Sequence, residues 1–146
     1  MDKQRILKFL PHRDPFLFVD DILEIQHKQK VIGIRQVKAD EPWAAGHFPG
    51  DPVFPGVLLI ETMAQIGSFV FYNELSAAHG LDSYLAQVEK VKFVRKVRPG
   101  QTLTCEGRFI SEFGNFARVS CCAKVADETV SEAVITYYFS VEGGQQ

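Results

Sequence analysis

The chain has 146 residues, 46% of them hydrophobic and 23% charged, with a formal net charge of −2. A chain of this size is expected to fold as a single domain, residues 1–146, burying roughly 68–70% of its unfolded surface. The near-balance of charge argues against nucleic-acid binding. No apolar run reaches the length of a bilayer span, and the opening Met1-Asp2-Lys3-Gln4-Arg5 lacks the apolar core of a signal peptide.

Taken in chain order, Lys3 to Leu10 is a short amphipathic helix halted by Pro11. Phe16 to Ile25 is rich in β-formers and reads as a strand, followed by a polar turn at His27 to Lys30. Its partner is Val31 to Val37, where Val31, Gly33, Arg35 and Val37 alternate with Ile32, Ile34 and Gln36. Glu41 to Pro55 is an irregular loop, stiffened by Pro49, Pro52 and Pro55. Gly56 to about His79 reads as one long helix closed by Gly80. Strands follow near Tyr84 to Lys96, Thr102 to Ser111, Asn115 to Ala126 and Val130 to Val141, with turns at Pro99-Gly100, Phe113-Gly114 and Asp127-Glu128. Gly143 to Gln146 reads as a frayed tail.

The expected class is therefore α+β, an antiparallel sheet of about six strands wrapped around one long central helix. From Val57 to Tyr72 that helix is apolar on nearly every face, so one small sheet leaves a side of it uncovered. A dimer joining two sheets edge to edge supplies the missing cover. The three cysteines, Cys105, Cys121 and Cys122, have no metal-ligand spacing, and the adjacent pair points to opposite faces of a strand. They read as small core residues of a reduced, cytoplasmic protein.

Chemistry is concentrated between Gly46 and Gln65. His47 stands on the stiff loop, and imidazole titrates near neutral pH, which suits a general base. Glu61 stands in the apolar helix, where desolvation favours a protonated carboxyl able to act as an acid. The N–H groups of Gly56 and Val57 begin the helix without intrahelical partners and suit a developing oxyanion. Glu61 lies five residues on, about 7.5 Å along the axis, a separation that serves one short substrate.

These residues resemble a known family. Leu10-Pro-His-Arg-Asp-Pro-Phe-Leu-Phe-Val-Asp-Asp21, Gly46-His-Phe-Pro-Gly-Asp-Pro-Val-Phe-Pro-Gly-Val57, Glu61-Thr-Met-Ala-Gln65 and Val91-Lys-Phe-Val-Arg-Lys-Val-Arg-Pro-Gly-Gln-Thr-Leu103 stand in the order found in FabZ-type (3R)-hydroxyacyl-acyl-carrier-protein dehydratases. The resemblance implies the hotdog fold, a dimer or trimer of dimers, and conversion of a (3R)-3-hydroxyacyl thioester to the trans-2-enoyl product. By it His47 is the catalytic base and Glu61 its partner from across the dimer interface. The Gly56 amide binds the thioester oxygen, and the Val53 carbonyl orients His47. Glu61 favours the simple dehydratase over the isomerising FabA-type relatives, which usually carry aspartate at that place. Asp14 stands where the family typically has tyrosine, and Phe54 where it has methionine; both bear on the substrate tunnel.

Gln65, Phe54 and Phe48 are the further candidates for lining or supporting the tunnel. Gln65, one turn beyond Glu61, either assists the site or hydrogen-bonds in the core. His12 and Arg13 read as fixing the entry loop, His27 as a turn residue, His79 as a helix-end residue and Trp43 as a packed loop aromatic. Lys90, Lys92, Arg95, Lys96 and Arg98 make a basic stretch that by itself is a solvated strand face. The resemblance makes Arg95, Lys96 and Arg98 the docking site for an acidic acyl carrier protein. The carrier's phosphopantetheine arm then delivers the substrate, so neither a metal nor a bound cofactor is expected. The alternatives are a hotdog acyl thioesterase and a non-catalytic carrier-binding subunit.

Overall fold

A computed structural model describes residues 1–140. Val141 and the predicted tail from Gly143 to Gln146 lie outside the described residues. The elements in order are α1 (Lys3–Phe9), β1 (Asp21–Gln26), β2 (Lys30–Gln36), α2 (Pro42–Gly46), α3 (Gly56–Gly67), a 3₁₀ turn (Ser68–Phe71), α4 (Glu74–His79), β3 (Ser83–Phe93), β4 (Thr102–Phe113), β5 (Phe116–Val125) and β6 (Glu128–Phe139). One six-stranded sheet runs in the order β1-β2-β4-β5-β6-β3. Every neighbouring pair is antiparallel. Its inner face packs on α3 through β2, β4, β5 and β6. This is the hotdog arrangement that the resemblance implies.

The period-2 alternation decides which side of each strand faces the helix. In β2, Val31, Gly33 and Arg35 are buried and their neighbours less so, and in β5 the buried set is Ala117, Val119, Cys121 and Ala123. The helix lies unusually near the sheet. A Cβ on Gly107 of β4 would stand 3.1 Å from the Gly67 Cα, and one on Gly67 would stand 2.8 Å from the Tyr137 hydroxyl. That hydroxyl donates to the Ala64 carbonyl at 2.5 Å, pinning the helix at its closest approach. Burial raises the Tyr137 pKa well above its ordinary value, with Cys121 and Glu61 adding to the effect, so the phenol stays a donor.

Several boundaries differ from the sequence expectation. The long helix is not continuous: α3 ends at Gly67, tightens into the 3₁₀ turn, and breaks at Tyr72, whose ψ of 126° is extended. Two interactions end it, one distant in sequence and one local. The Val70 carbonyl accepts the Lys28 N–H from the β1–β2 turn at 2.7 Å, and Asn73 caps a new helix through a reciprocal pair of bonds with Ser76. Gly80, with φ 81°, closes α4 rather than a long helix. One side of the helix is left uncovered by the sheet, as the sequence implies, with Val57 71% exposed.

Phe16 to Asp20 is not strand. Gln65 takes the place of a strand neighbour there, accepting from the Phe18 N–H and donating to the Phe16 carbonyl. The supposed irregular loop contains α2, begun by Pro42 at the first helical position, where a missing N–H costs nothing. Glu128 opens β6, so the last turn falls at Ala126 and Asp127.

Gly107→Val forces side-chain atoms into the Gly67 backbone, which cannot swing aside as a side chain can. Urea denaturation is expected to show a loss of about 1–3 kcal/mol. Unchanged stability would mean that the helix and sheet can separate freely at this point.

Candidate active site

His47 is placed by its own backbone and by one carbonyl. It is the C-cap of α2, its N–H donating to the Trp43 carbonyl at 3.0 Å. Its Nδ1 lies 2.6 Å from the Val53 carbonyl oxygen. A carbonyl can only accept, so Nδ1 carries the hydrogen and Nε2 of the neutral ring keeps its lone pair. Phe48 follows with φ 57°, a left-handed conformation that costs a side-chain-bearing residue roughly 1–2 kcal/mol, and its ring lies 4.3 Å from the imidazole. A cavity of about 310 Å³ joins His47 to Val53, Phe54, Gly56, Phe93 and Lys96. Pro55 precedes α3 without a side-chain cap, so the Gly56 and Val57 N–H groups start the helix at this cavity. Gly56 lies beneath the Phe93 ring, where a Cβ would stand 3.0 Å from the ring carbons.

Glu61 lines a different cavity, of about 340 Å³, with Gln65, His12, Phe16, Ser68 and Tyr84. Its side chain is 21% exposed, and so only half-buried. Gln65 settles its own orientation. The Phe18 N–H can only donate, so it fixes the amide oxygen and turns the Gln65 Nε2 toward Glu61 Oε2, 2.9 Å away. The His12 Nε2 stands 3.4 Å from the same Oε2. Oε2 is thereby held, while Oε1 has no hydrogen-bond partner among the described residues. Gln65 therefore both assists the carboxylate and holds the core, and it is 2% exposed.

Within one chain, then, His47, Val53, Gly56 and Phe54 come together, and Glu61 and Gln65 come together elsewhere. Phe54 is buried under Trp43 and Phe18, whereas Phe48 is exposed. Arg95 and Lys96 stand at the His47 cavity, but Arg95 pairs with Glu128 at 3.1 Å and Arg98 with Asp51 at 3.1 Å. The positive stretch is thus partly neutralised by neighbours that the local sequence does not reveal. Arg13 holds the entry loop through the Leu7, Leu10 and His12 carbonyls, and Asp14 is exposed. Trp43 is packed, as expected, its indole donating to Glu41.

Sequence reasoning missed two groups. One is His12 beside Glu61, for which the sequence carries no periodic signal. The other is the pair of buried Arg35 and half-buried Glu41, with N–O distances of 2.6 and 2.9 Å. Arg35 could have been found, because the β2 alternation puts it on the apolar face with Val31, Gly33 and Val37. Among the described residues no three His, Cys, Asp or Glu side chains group closely enough to hold a metal ion, and no helix is long and apolar enough to cross a membrane.

Residues 10–134 match the family model for the FabA-like domain. The chain belongs to the FabA-like family. It is 41% identical over 136 residues to the 3-hydroxyacyl-acyl-carrier-protein dehydratase FabZ of Caldicellulosiruptor saccharolyticus, covering 93% of this chain and 96% of that protein. It is 43% identical over 134 residues to the bifunctional enzyme LpxC/FabZ of Porphyromonas gingivalis, covering 91% of this chain and 29% of that longer protein. Among solved structures, the dehydratase heterocomplex ApeI:P from Xenorhabdus doucetiae superposes with a TM-score of 0.75 at 18% identity, over 94% of this chain and 91% of that one. That last likeness is one of fold.

The Arg35–Glu41 pair has a consequence for acid stability. Burial alone would push the Glu41 carboxyl up, but hydrogen bonds from Arg35 and Trp43, the Arg35 charge and the Lys38 N–H together hold it below its ordinary value. A carboxyl lowered in the folded state stabilises fully above its unfolded pKa, about 4.3, and ceases to do so as pH falls through the folded value. Wild type is therefore expected to lose stability more steeply below about pH 4.3 than Glu41→Gln, measured by urea denaturation across pH. Parallel curves would deny Glu41 this part.

Proposed function

We propose that this chain is a 3-hydroxyacyl-acyl-carrier-protein dehydratase that removes water from (3R)-3-hydroxyacyl thioesters in fatty acid or related lipid or polyketide synthesis. Its relatives of some 41% identity carry that name over nearly their whole length. The observation that carries the mechanism is the bond from His47 Nδ1 to the Val53 carbonyl, which makes Nε2 the nitrogen of the neutral ring that can accept a proton, in a residue that lines a cavity. His47 takes the α-proton. The Gly56 N–H steadies the thioester oxygen as the enolate forms, at the positive end of the α3 dipole. Glu61 protonates the departing hydroxyl through its unheld Oε1, and the C–O bond breaks as the double bond forms. Water leaves, and the proton on His47 returns to the carboxylate to reset the site.

In a homodimer, Glu61 of the second copy faces His47 of the first. Two features support this reading: the pair lines separate cavities within one chain, and the edge strand β3 exposes Tyr84, Leu85 and Phe93. Association could extend to a trimer of dimers. Arg95, Lys96 and Arg98 receive the acidic carrier protein, whose phosphopantetheine arm brings the substrate without a bound cofactor. The protein is a single hotdog domain and works in the cytoplasm, where its three free cysteines stay reduced. Burial pushes the Cys121 thiol up to about 12 and the Cys105 thiol higher still, which suits inert core residues.

Incubating the protein with a (3R)-3-hydroxyacyl carrier thioester is expected to raise enoyl absorbance without releasing free thiol. Thiol release would make it a thioesterase, and binding without turnover a carrier-binding subunit. His47→Ala and Glu61→Gln are each expected to lower turnover by about 10²-fold or more while circular dichroism stays native. Equal amounts of the two variants, dissociated and reassembled, put one intact site in each mixed dimer. Roughly a quarter of wild-type activity should then return, given about half the dimers mixed. Mixed dimers proven by dual-tag pull-down but no more active than their parents would rule out the shared site.

Reversing Arg95 and Lys96 to glutamate is expected to impair carrier-bound substrate more than a small thioester analogue, with a gap that narrows in high salt. Equal losses on both substrates would remove this surface from docking.

A further inference from the structure

Arg35 is a charge placed where the fold least tolerates one. Its side chain is 4% exposed, on the inner face of β2 between Gly33 and Val37. Its guanidinium forks onto both Glu41 oxygens and also donates to the Gln36 carbonyl at 2.8 Å. It lies 4.9 Å from the Phe18 ring centroid and 5.3 Å from that of Phe54. One donor, Nε, is buried without a partner among the described residues. A buried ion pair is weak evidence of stabilisation, because apolar residues of similar volume often do as well. What a fork between two rings adds is direction: it fixes two oxygens and two aromatic planes at once.

Glu41 and Phe54 stand at the two ends of the His47 loop, while Phe18 belongs to a separate segment. Glu41 is the N-cap residue of α2, yet its side chain makes no cap bond; it is turned to Arg35 and also receives the Trp43 indole N–H at 2.8 Å. Trp43 in turn supplies the carbonyl that holds the His47 N–H. At the far end, the ring of Phe54 adjoins the guanidinium, and the preceding residue, Val53, supplies the carbonyl that holds His47 Nδ1. A single guanidinium thus spans the loop behind the imidazole. Phe18 carries the contact onward, since its N–H fixes the Gln65 amide that holds Glu61.

We infer that Arg35, through Glu41 and Phe54, is the positioning residue for His47, fixing the imidazole's tautomer and aim. The inference rests on the reading of His47 as the base. Arg35→Ala would strand a half-buried carboxylate and so test folding alone. Two other variants separate position from stability. Arg35→Met combined with Glu41→Leu replaces the pair by apolar volume, and Arg35→Lys keeps the charge but loses the fork and the flat face. Both are expected to stay folded, with kcat about 10-fold lower and KM little changed. Nitrogen NMR of the His47 ring is expected to show one neutral tautomer, protonated at Nδ1, in wild type and a mixture in both variants.

Wild-type kcat with an unaltered tautomer in the variants would overturn the assignment. So would a fold lost in both, or a loss confined to KM, since each makes Arg35 a residue of the scaffold or of substrate binding. The ring spectrum needs no substrate. If wild type fails to dehydrate, the functional reading falls while the tautomer comparison still decides the part played by Arg35.

Discussion

Everything in this fold is referred to the closeness of α3 to the sheet. A single curved layer can cover a helix only if their backbones nearly touch, and here they do at Gly67 and Gly107, with no side chain between them. Tyr137 ties the same spot by a buried hydrogen bond to Ala64, in surroundings where such a bond is electrostatically stronger than in water. That contact sets the height of the helix above the strands. Gln65, Glu61 and the Gly56 end of α3 follow at helical intervals, so their places are consequences of a packing distance.

The same closeness makes polar backbone expensive, and the chain answers with side chains in place of missing strand neighbours. Gln65 substitutes for a strand beside Phe16 and Phe18, and the Val70 carbonyl finds its donor in the Lys28 turn. These substitutions have functional content. The amide that completes the core is the one that holds Glu61 Oε2, so core satisfaction and carboxylate orientation are one arrangement. On the other side, the ion pair that holds the His47 loop sits in the core between β2 and two aromatic rings. Each chemical group stands on a rigid polar contact, which suits chemistry that depends on aim.

His47 and Glu61 line two separate cavities of the single chain, which under the proposed dehydratase reading are two half-sites. Each half is pre-organised: one by the Val53 carbonyl and the left-handed Phe48, the other by Gln65 and His12. Exposed apolar side chains along β3, with its bulged register against β6, border both halves. A strand at a sheet edge keeps unpaired backbone groups, and in the proposed homodimer a second copy pairs them while it covers the open end of α3.

The sequence by itself determined the class of fold, the six strands and the proline-stiffened loop that presents His47. Strand alternation, turn glycines and the prolines around His47 are local rules, readable residue by residue. It also put Arg35 on the inner face of β2 without saying why a charge should be there. Only the tertiary structure decided where the helix stops, because the bond that draws off the Val70 carbonyl comes from Lys28, far away in sequence. Likewise the pairing of Arg95 with Glu128 and Arg98 with Asp51, the meeting of His12 with Glu61, and the grip of Arg35 on the His47 loop are encounters between separate segments. Local propensity governs each segment's conformation, but which charges and donors face one another depends on how the segments are brought together.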